Sequence, residues 1–423
     1  MTALDEPTAG VAAVESPPPD GFVRRTLSSF RSRNFRLFFI GQTVSNTGNW
    51  LTMVALTLLV LHRTGSGFYV GLLSACQFGP ILLLSAWAGA IIDRSNKRNV
   101  LFLTQSLEMA QSFVLAVLAF SHHAPLWSFF LTAAVGGCLL AFDNPVRRTF
   151  VNEMVPPEDI PNAVTLYSAM VNISRIAGPA LAGALIVTVG YGWAFTLDAA
   201  SYTTVLVALG MMRTRELRRV EAAPKGKGQV RAGVRYILQV PELWITFAML
   251  AVVGTVSYNF SVVFPLFVEK GLGGGDGGYT FVYSMFSVGA LGGALIVARR
   301  RTVVIRTVAL GAAALGATML VLATVPSVAL AALVGAAVGA SSVAYMTGVT
   351  ALAQLRTEQQ MLGRVLAIQT VLLIGTTPIG GPILGALSDW AGARAPVVVG
   401  GIAALGAAAF GLAAARRFHA DAR

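Results

Sequence analysis

The chain has 423 residues, 55% of them hydrophobic and only 12% charged, with 44 glycines, two cysteines and a formal net charge of +12. A soluble protein of this size carries about 25% charged residues, so an ordinary cytosolic enzyme, a disordered chain and a disulfide-stapled secreted domain are excluded. What the +12 means depends on where the positive residues sit.

Residues 1–34 predict a disordered cytoplasmic tail. The stretch to Asp20 is acidic, carries Pro17-Pro18-Pro19 and has no apolar centre, so it does not read as a signal peptide. Twelve apolar runs follow, at about 35–61, 68–92, 100–120, 126–146, 163–189, 193–212, 243–268, 279–298, 303–324, 328–353, 362–387 and 396–415. Each approaches the roughly 20 residues needed to cross a hydrocarbon core about 30 Å thick. The runs are continuous rather than alternating, which favours helices over a β-barrel. Their Gly, Ala and Ser content suits close packing between lipid-embedded helices. The basic, polar stretch 213–242 divides them into six-helix bundles at 35–212 and 243–415, with a cytoplasmic tail at 416–423. Short echoes recur between the halves at offsets of a little over 200, Ala177-Gly-Pro-Ala-Leu181 against Gly380-Gly-Pro-Ile-Leu384 among them. The expected fold is all-α and integral to the membrane, with two pseudo-symmetric bundles of six helices each.

Sorting the 31 Lys and Arg residues on this topology puts 27 on one face, Arg147 and Arg148 among them. Arg63, Lys270 and Arg394 fall on the other face, and Arg175 lies inside the fifth span. The positive-inside rule then places both termini in the cytoplasm. The excess charge describes orientation, with membrane lipid headgroups as its counterpart. No aromatic-basic surface accompanies it, so nucleic acid is not an expected partner.

Charged groups within spans are costly and mark functional candidates. Arg175 lies about thirteen residues into the fifth span. Glu108 lies about eight residues into the third, on a stripe with Gln105 and Gln111, and its depth makes it the expected partner of Arg175. Asp198, near the outer end of the sixth span, is a further candidate. A carboxylate at such a position can carry a proton; the plainer readings are a buried ion pair, a polar packing stripe and a helix-end hydrogen bond. Gly178-Pro179 and Gly381-Pro382 predict bends at matching places in the two halves. No phosphate-binding loop is present, and Cys76, Cys138 and His122-His123 lack metal-ligand spacing. No enzyme activity, catalytic group, metal or cofactor is therefore expected.

The second span ends in Gly89-Ala-Ile-Ile-Asp93-Arg94-Ser-Asn-Lys97-Arg98, which resembles the signature loop of the major facilitator superfamily, with Asn96 at the usual second glycine. Gly178-Pro179 followed by Gly183 is similar to that superfamily's antiporter signature. Asn144-Pro145-Val-Arg147, Val155-Pro-Pro-Glu158, Asn162-Ala163, Arg175-Ile-Ala-Gly-Pro179 and Leu362-Gly-Arg364-Val-Leu-Ala resemble the bacterial branch of siderophore exporters and macrolide-efflux proteins. In the second half Val297 stands at the loop's acid position.

The resemblance implies a proton-driven exporter of the bacterial inner membrane, expected as a monomer. It implies a gating cluster of Gly89, Asp93, Arg94, Lys97, Arg98 and Asp143. It also implies a substrate cavity lined by spans 1, 4, 7 and 10. Span 1 offers Gln42, Asn46, Asn49 and Trp50, span 7 Tyr258 and Asn259, and span 10 Tyr345 and Thr347. A polar, aromatic and nearly uncharged cavity favours a bulky amphipathic small molecule such as a siderophore or drug-like compound. The rival reading is a membrane sensor or scaffold that binds a small molecule without transporting it.

Overall fold

Without water, backbone N–H and C=O groups must find partners inside the protein, which leaves a chain of continuous apolar runs the helix. The computed structural model describes residues 27–92, 94–121, 123–218, 229–298 and 303–421, and among these residues there are helices and no strand. The first half comprises α1 (Arg33–Thr64), α2 (Gly67–Ile92), α3 (Lys97–Phe120), α4 (Leu126–Phe150), α5 (Ile160–Val189) and α6 (Tyr191–Met211). A short amphipathic α7 (Gln229–Gln239) precedes the second half. That half comprises α8 (Pro241–Val256), α9 (Phe260–Leu266), α10 (Gly275–Ala298), α11 (Ile305–Thr324), α12 (Val328–Arg356), α13 (Gln359–Ile374), α14 (Thr377–Ala391) and α15 (Ala395–Asp421). Eleven stretches are long and apolar enough to cross a membrane. The 24-residue α10, packed along α12, is the twelfth long element.

The halves repeat one packing plan. In the first, α6 packs on α1 and α3 while α4 packs on α2; in the second, α15 packs on α8 and α11 while α12 packs on α10. The halves meet along two seams, α2 against α14 and α5 against α10. Glycine makes the first seam possible. Gly67 and Gly71 face Gly385 and Gly381, both pairs at small-xxx-small spacing, and a Cβ on Gly71 would overlap the Gly381 carbonyl.

Among the described residues two crossings are interrupted, and neither break falls at the Gly-Pro pairs that predict a bend. The seventh opens at 257–259, between α8 and α9, with Asn259 at φ −90°, ψ 46°. Side chains of the break hold neighbouring backbone: Ser257 Oγ donates to Gly400 O at 2.8 Å and Asn259 Nδ2 to Thr255 O at 2.7 Å. The eleventh breaks at Gly375–Thr376, just before Pro378, which sits in the first turn of α14 where its missing N–H costs nothing. Helix continues through Pro179 and Pro382. Their adjoining glycines serve close approach instead: Gly178 lies against Thr47 and Trp50 of α1, and Gly381 against Gly71 of α2.

Candidate functional site

The heart of the first half is charged. Helix α4 runs on to Phe150, so Asp143 and Arg147, four residues apart, lie on one inward face of it. Asp143 is fully buried and Arg147 is 2% exposed. Arg147 Nε pairs with Asp143 Oδ2, and Arg147 Nη2 donates to Glu108 Oε2 at 3.2 Å. Gln105 Nε2 donates to Glu108 Oε2 at 2.8 Å and to Asp143 Oδ1 at 2.9 Å, and Thr104 Oγ1 donates to Asp143 Oδ1 at 2.8 Å. Further along α3, Ser112 Oγ donates to Asp198 Oδ2 at 2.7 Å, as does Thr52 Oγ1 of α1. Glu108 and Asp198 both line a cavity of about 90 Å³, beside Asn49, Thr52, Gln111 and Tyr202, with room for ordered water. Two carboxylates thus share one guanidinium, and a third, Asp198, lies on the same cavity as Glu108. Glu108 Oε1 and Asp198 Oδ1 accept no hydrogen bond.

This arrangement corrects the sequence reading in three respects. Arg147 is buried rather than a topological surface charge, because α4 extends past the predicted end of its span. Arg147, not Arg175, is the partner of Glu108. Asn49 turns into the cavity of the first half beside the acids. The recoverable signal was the Asp143/Arg147 pair at i, i+4.

Arg175 lies elsewhere. It is half-buried on α5 and lies near Tyr258 and Tyr283 of the second half. Among the described residues it makes no ion pair. Tyr258, at the break of the seventh crossing, donates its hydroxyl to Ser342 O and stands 6.5 Å from Tyr345, centroid to centroid. The Tyr345 hydroxyl, Asn259 Oδ1 and the whole Gln42 amide are buried without a partner, as is Asn46 Nδ2. Trp50 packs under Gly178, and Thr347 is half-buried on α12. Tyr258, Asn259, Tyr345 and Arg175 therefore come together around the break, while Gln42 and Asn49 belong to the first half's interior.

The residues expected to form the gate are placed as follows in this conformation. Asp93 lies outside the described residues, Gly89 is half-buried and Arg94 is exposed. Lys97 pairs with Glu153 at 2.5 Å, and Arg98 Nε donates to Leu209 O at 2.8 Å, capping α6. Asp143 is engaged in the buried cluster above. A latch that the sequence did not suggest lies at the opposite end, away from the described chain ends. There Asp389 of α14 accepts from Ser66 Oγ at 2.6 Å and from the N–H groups of Gly67 and Phe68 at 2.7 and 3.0 Å, at the start of α2. Lys270 holds the same carboxylate at 2.9 Å. His62 and Tyr191 of the first half meet Glu269 and Asp276 of the second nearby. Toward the other end, Leu82 meets Gly375 in an apolar contact between the halves.

An Asp389→Asn variant removes the charge that anchors both Lys270 and the first turn of α2. We expect the latched end to open more often. Spin labels replacing the exposed Trp193 and Trp390 should then show a longer-distance population growing relative to wild type. An unchanged distribution removes Asp389 from the latch.

Residues 24–422 match the family model described as transmembrane secretion effector. The staphyloferrin A transporter of Staphylococcus aureus is 32% identical over 168 residues, a match covering 40% of this chain and 42% of that protein, so the chain spans under half the length of this relative. The multidrug efflux pump Tap of Mycolicibacterium fortuitum is 26% identical over 382 residues, covering 85% of this chain and 90% of the pump. Among solved structures, an inward-facing, unoccupied bacterial homologue of the human lysosomal transporter Spinster superposes with a TM-score of 0.70 at 16% identity, over 92% of this chain and 98% of that one. At that identity the likeness concerns the fold alone.

Proposed function

The chain belongs to the transmembrane secretion effector family of major facilitator transporters, and from that premise we propose that it is a proton-coupled exporter of a bulky amphipathic small molecule. The observation that carries the proposal is the buried cluster of Glu108, Asp143, Asp198 and Arg147, with two of its acids on a polar cavity. A surplus of buried carboxylates calls for a compensating cation, and a proton is the one that a drug or siderophore antiporter exchanges. Cargo binds between the halves, where Tyr258, Asn259 and Tyr345 surround an interrupted crossing, the usual place for a transporter's substrate. Arg175 supplies the positive charge there, which suits a cargo bearing acidic or acceptor oxygens on an aromatic or aliphatic body. A siderophore or a drug-like compound fits this description, in keeping with the named activities of the two relatives.

On this reading the protein sits in the bacterial inner membrane as a monomer with both termini in the cytoplasm. Its latched end then faces outward, and the state described here opens toward the cytoplasm. Cargo enters from that side, and proton uptake by the first-half cluster accompanies the rocking that exposes it outward.

Arg175→Ala is the direct test. Expression and membrane insertion should persist, because the side chain holds no ion pair, while efflux of siderophore, macrolide and dye reporters falls at least tenfold. Wild-type-like efflux in this variant sinks the assignment of Arg175. Wild-type protein that binds these compounds in reconstituted vesicles, yet shows no gradient-dependent flux, would be a small-molecule sensor instead.

A further inference from the structure

The latched end contains a cluster that transport chemistry leaves unused. His62 lies in the last turn of α1, Glu269 in a π-helical turn, Phe267–Gly271, and Asp276 in the first turn of α10. One group therefore comes from the first half and two from the second. His62 Nε2 lies 3.0 Å from Glu269 Oε2 and 3.5 Å from Asp276 Oδ1, and one ligand atom from each side chain falls within 4.8 Å of the others. Zinc bonds of about 2.0–2.1 Å at tetrahedral angles place ligand atoms about 3.3–3.4 Å apart, so the first two separations bracket the required value. The π-turn fits this view, since such turns recur at functional sites.

Hydrogen bonding sets the histidine tautomer. The Tyr191 hydroxyl has one proton and donates it to Asp276 Oδ2 at 2.8 Å. Its 2.6 Å contact with His62 Nδ1 is then made by Nδ1–H donating to the phenol oxygen. In the neutral ring this assignment leaves Nε2 as a bare lone pair facing carboxylate oxygens. Glu269 Oε1 and Asp276 Oδ1 are themselves buried without a hydrogen-bond partner. Lone pairs that converge in this way repel one another unless a cation lies among them. The neighbouring cations are committed: Lys270 to Asp389, and Arg63 to the carbonyls of Ser121 and Ala124 and to the face of Phe129. The Glu269 side chain is 10% exposed and that of His62 45%, so carboxylates floor the site and the imidazole stands at its mouth.

We propose that His62, Glu269 and Asp276 form a divalent-metal site, best suited to zinc, that ties the two halves together at this end. Imidazole and carboxylate donors suit that ion, and a water completes four-coordination. Tyr191 orients the imidazole through Nδ1, in the place where a metal-bound histidine commonly donates to a carboxylate, carbonyl or water. Because its ligands come from both halves, bound zinc favours the latched state over the open one.

Tag-free protein in detergent micelles, stripped with chelator and dialysed against zinc chloride, tests the site. One saturable equivalent should bind. His62→Ala and Glu269→Gln should each weaken binding by about 100-fold, and Tyr191→Phe, which removes only the orienting hydroxyl, by about tenfold. His123→Ala, an exposed histidine on another loop, should change nothing. A wild type that binds no zinc, meaning that a proton on His62 holds the cluster, overturns the proposal. Variants that bind as tightly as wild type overturn it equally. The bridging claim is read from spin labels at Trp193 and Trp390 in the Asp389→Asn background, with Cys76 and Cys138 replaced by serine. Zinc should restore the shorter distance, and zinc bound without that shift disproves the tie between halves.

Discussion

Arg147→Met is expected to be the most damaging single substitution in the protein. Arg147 is 2% exposed and is the shared partner of Asp143 and Glu108, so its removal leaves two carboxylates buried without their counter-charge. Breaking a buried pair on one side costs about 3–5 kcal/mol. The variant should express poorly, unfold well below wild type on heating in detergent and transport nothing. The useful control is the triple variant with Glu108→Gln and Asp143→Asn. It removes the stranded charges while keeping shape, and buried ion clusters replaced by neutral groups are often no less stable. Most of the lost stability should return, but no transport. A triple variant as unstable as Arg147→Met would mean that Arg147 acts through packing rather than through charge.

Physical chemistry explains what could be read from the sequence and what could not. Long apolar runs mark crossings because lipid tolerates little else, and the long helices follow the predicted runs, with α7 falling inside the stretch read as a linker and the seventh and eleventh runs each divided in two. The break at 257–259 escaped notice because no proline or glycine lies in it; side chains of Ser257, Tyr258 and Asn259 hold it open by hydrogen-bonding to neighbouring backbone. The sequence places Arg147 at the surface because the basic pair Arg147-Arg148 closes the apolar run at 146, yet α4 continues three residues beyond Arg147. The latch was invisible for another reason. Ser66 and Asp389 are 323 positions apart, and charges at span ends look like ordinary interface residues until the fold joins them. Glu108 and Asp198 stand out in the sequence because a carboxylate inside an apolar run is conspicuous in any register.

Glu108→Gln should separate proton coupling from cargo movement. Glutamine is nearly isosteric, and its carbonyl can still accept from Gln105 and Arg147, so the first half should fold and reach the membrane. Downhill exchange of cargo across reconstituted vesicles should stay within about twofold of wild type. Uphill accumulation driven by an imposed proton gradient should disappear, and the exchange rate should lose its dependence on pH. The reason lies in the sharing of Arg147. On the proposed reading, ionised Glu108 competes with Asp143 for the guanidinium, and protonated Glu108 leaves Arg147 to Asp143 and becomes a neutral donor toward the cavity it shares with Asp198. That switch gives two arrangements of the same side chains, and a proton couples to a conformational change only through such a difference between states. Asp198 lacks a direct cationic partner among the described residues. Its Oδ2 is held by Thr52 and Ser112 alone, so Asp198→Asn should alter the gradient response less than Glu108→Gln does. The reverse order would move the proton-carrying role from α3 to α6.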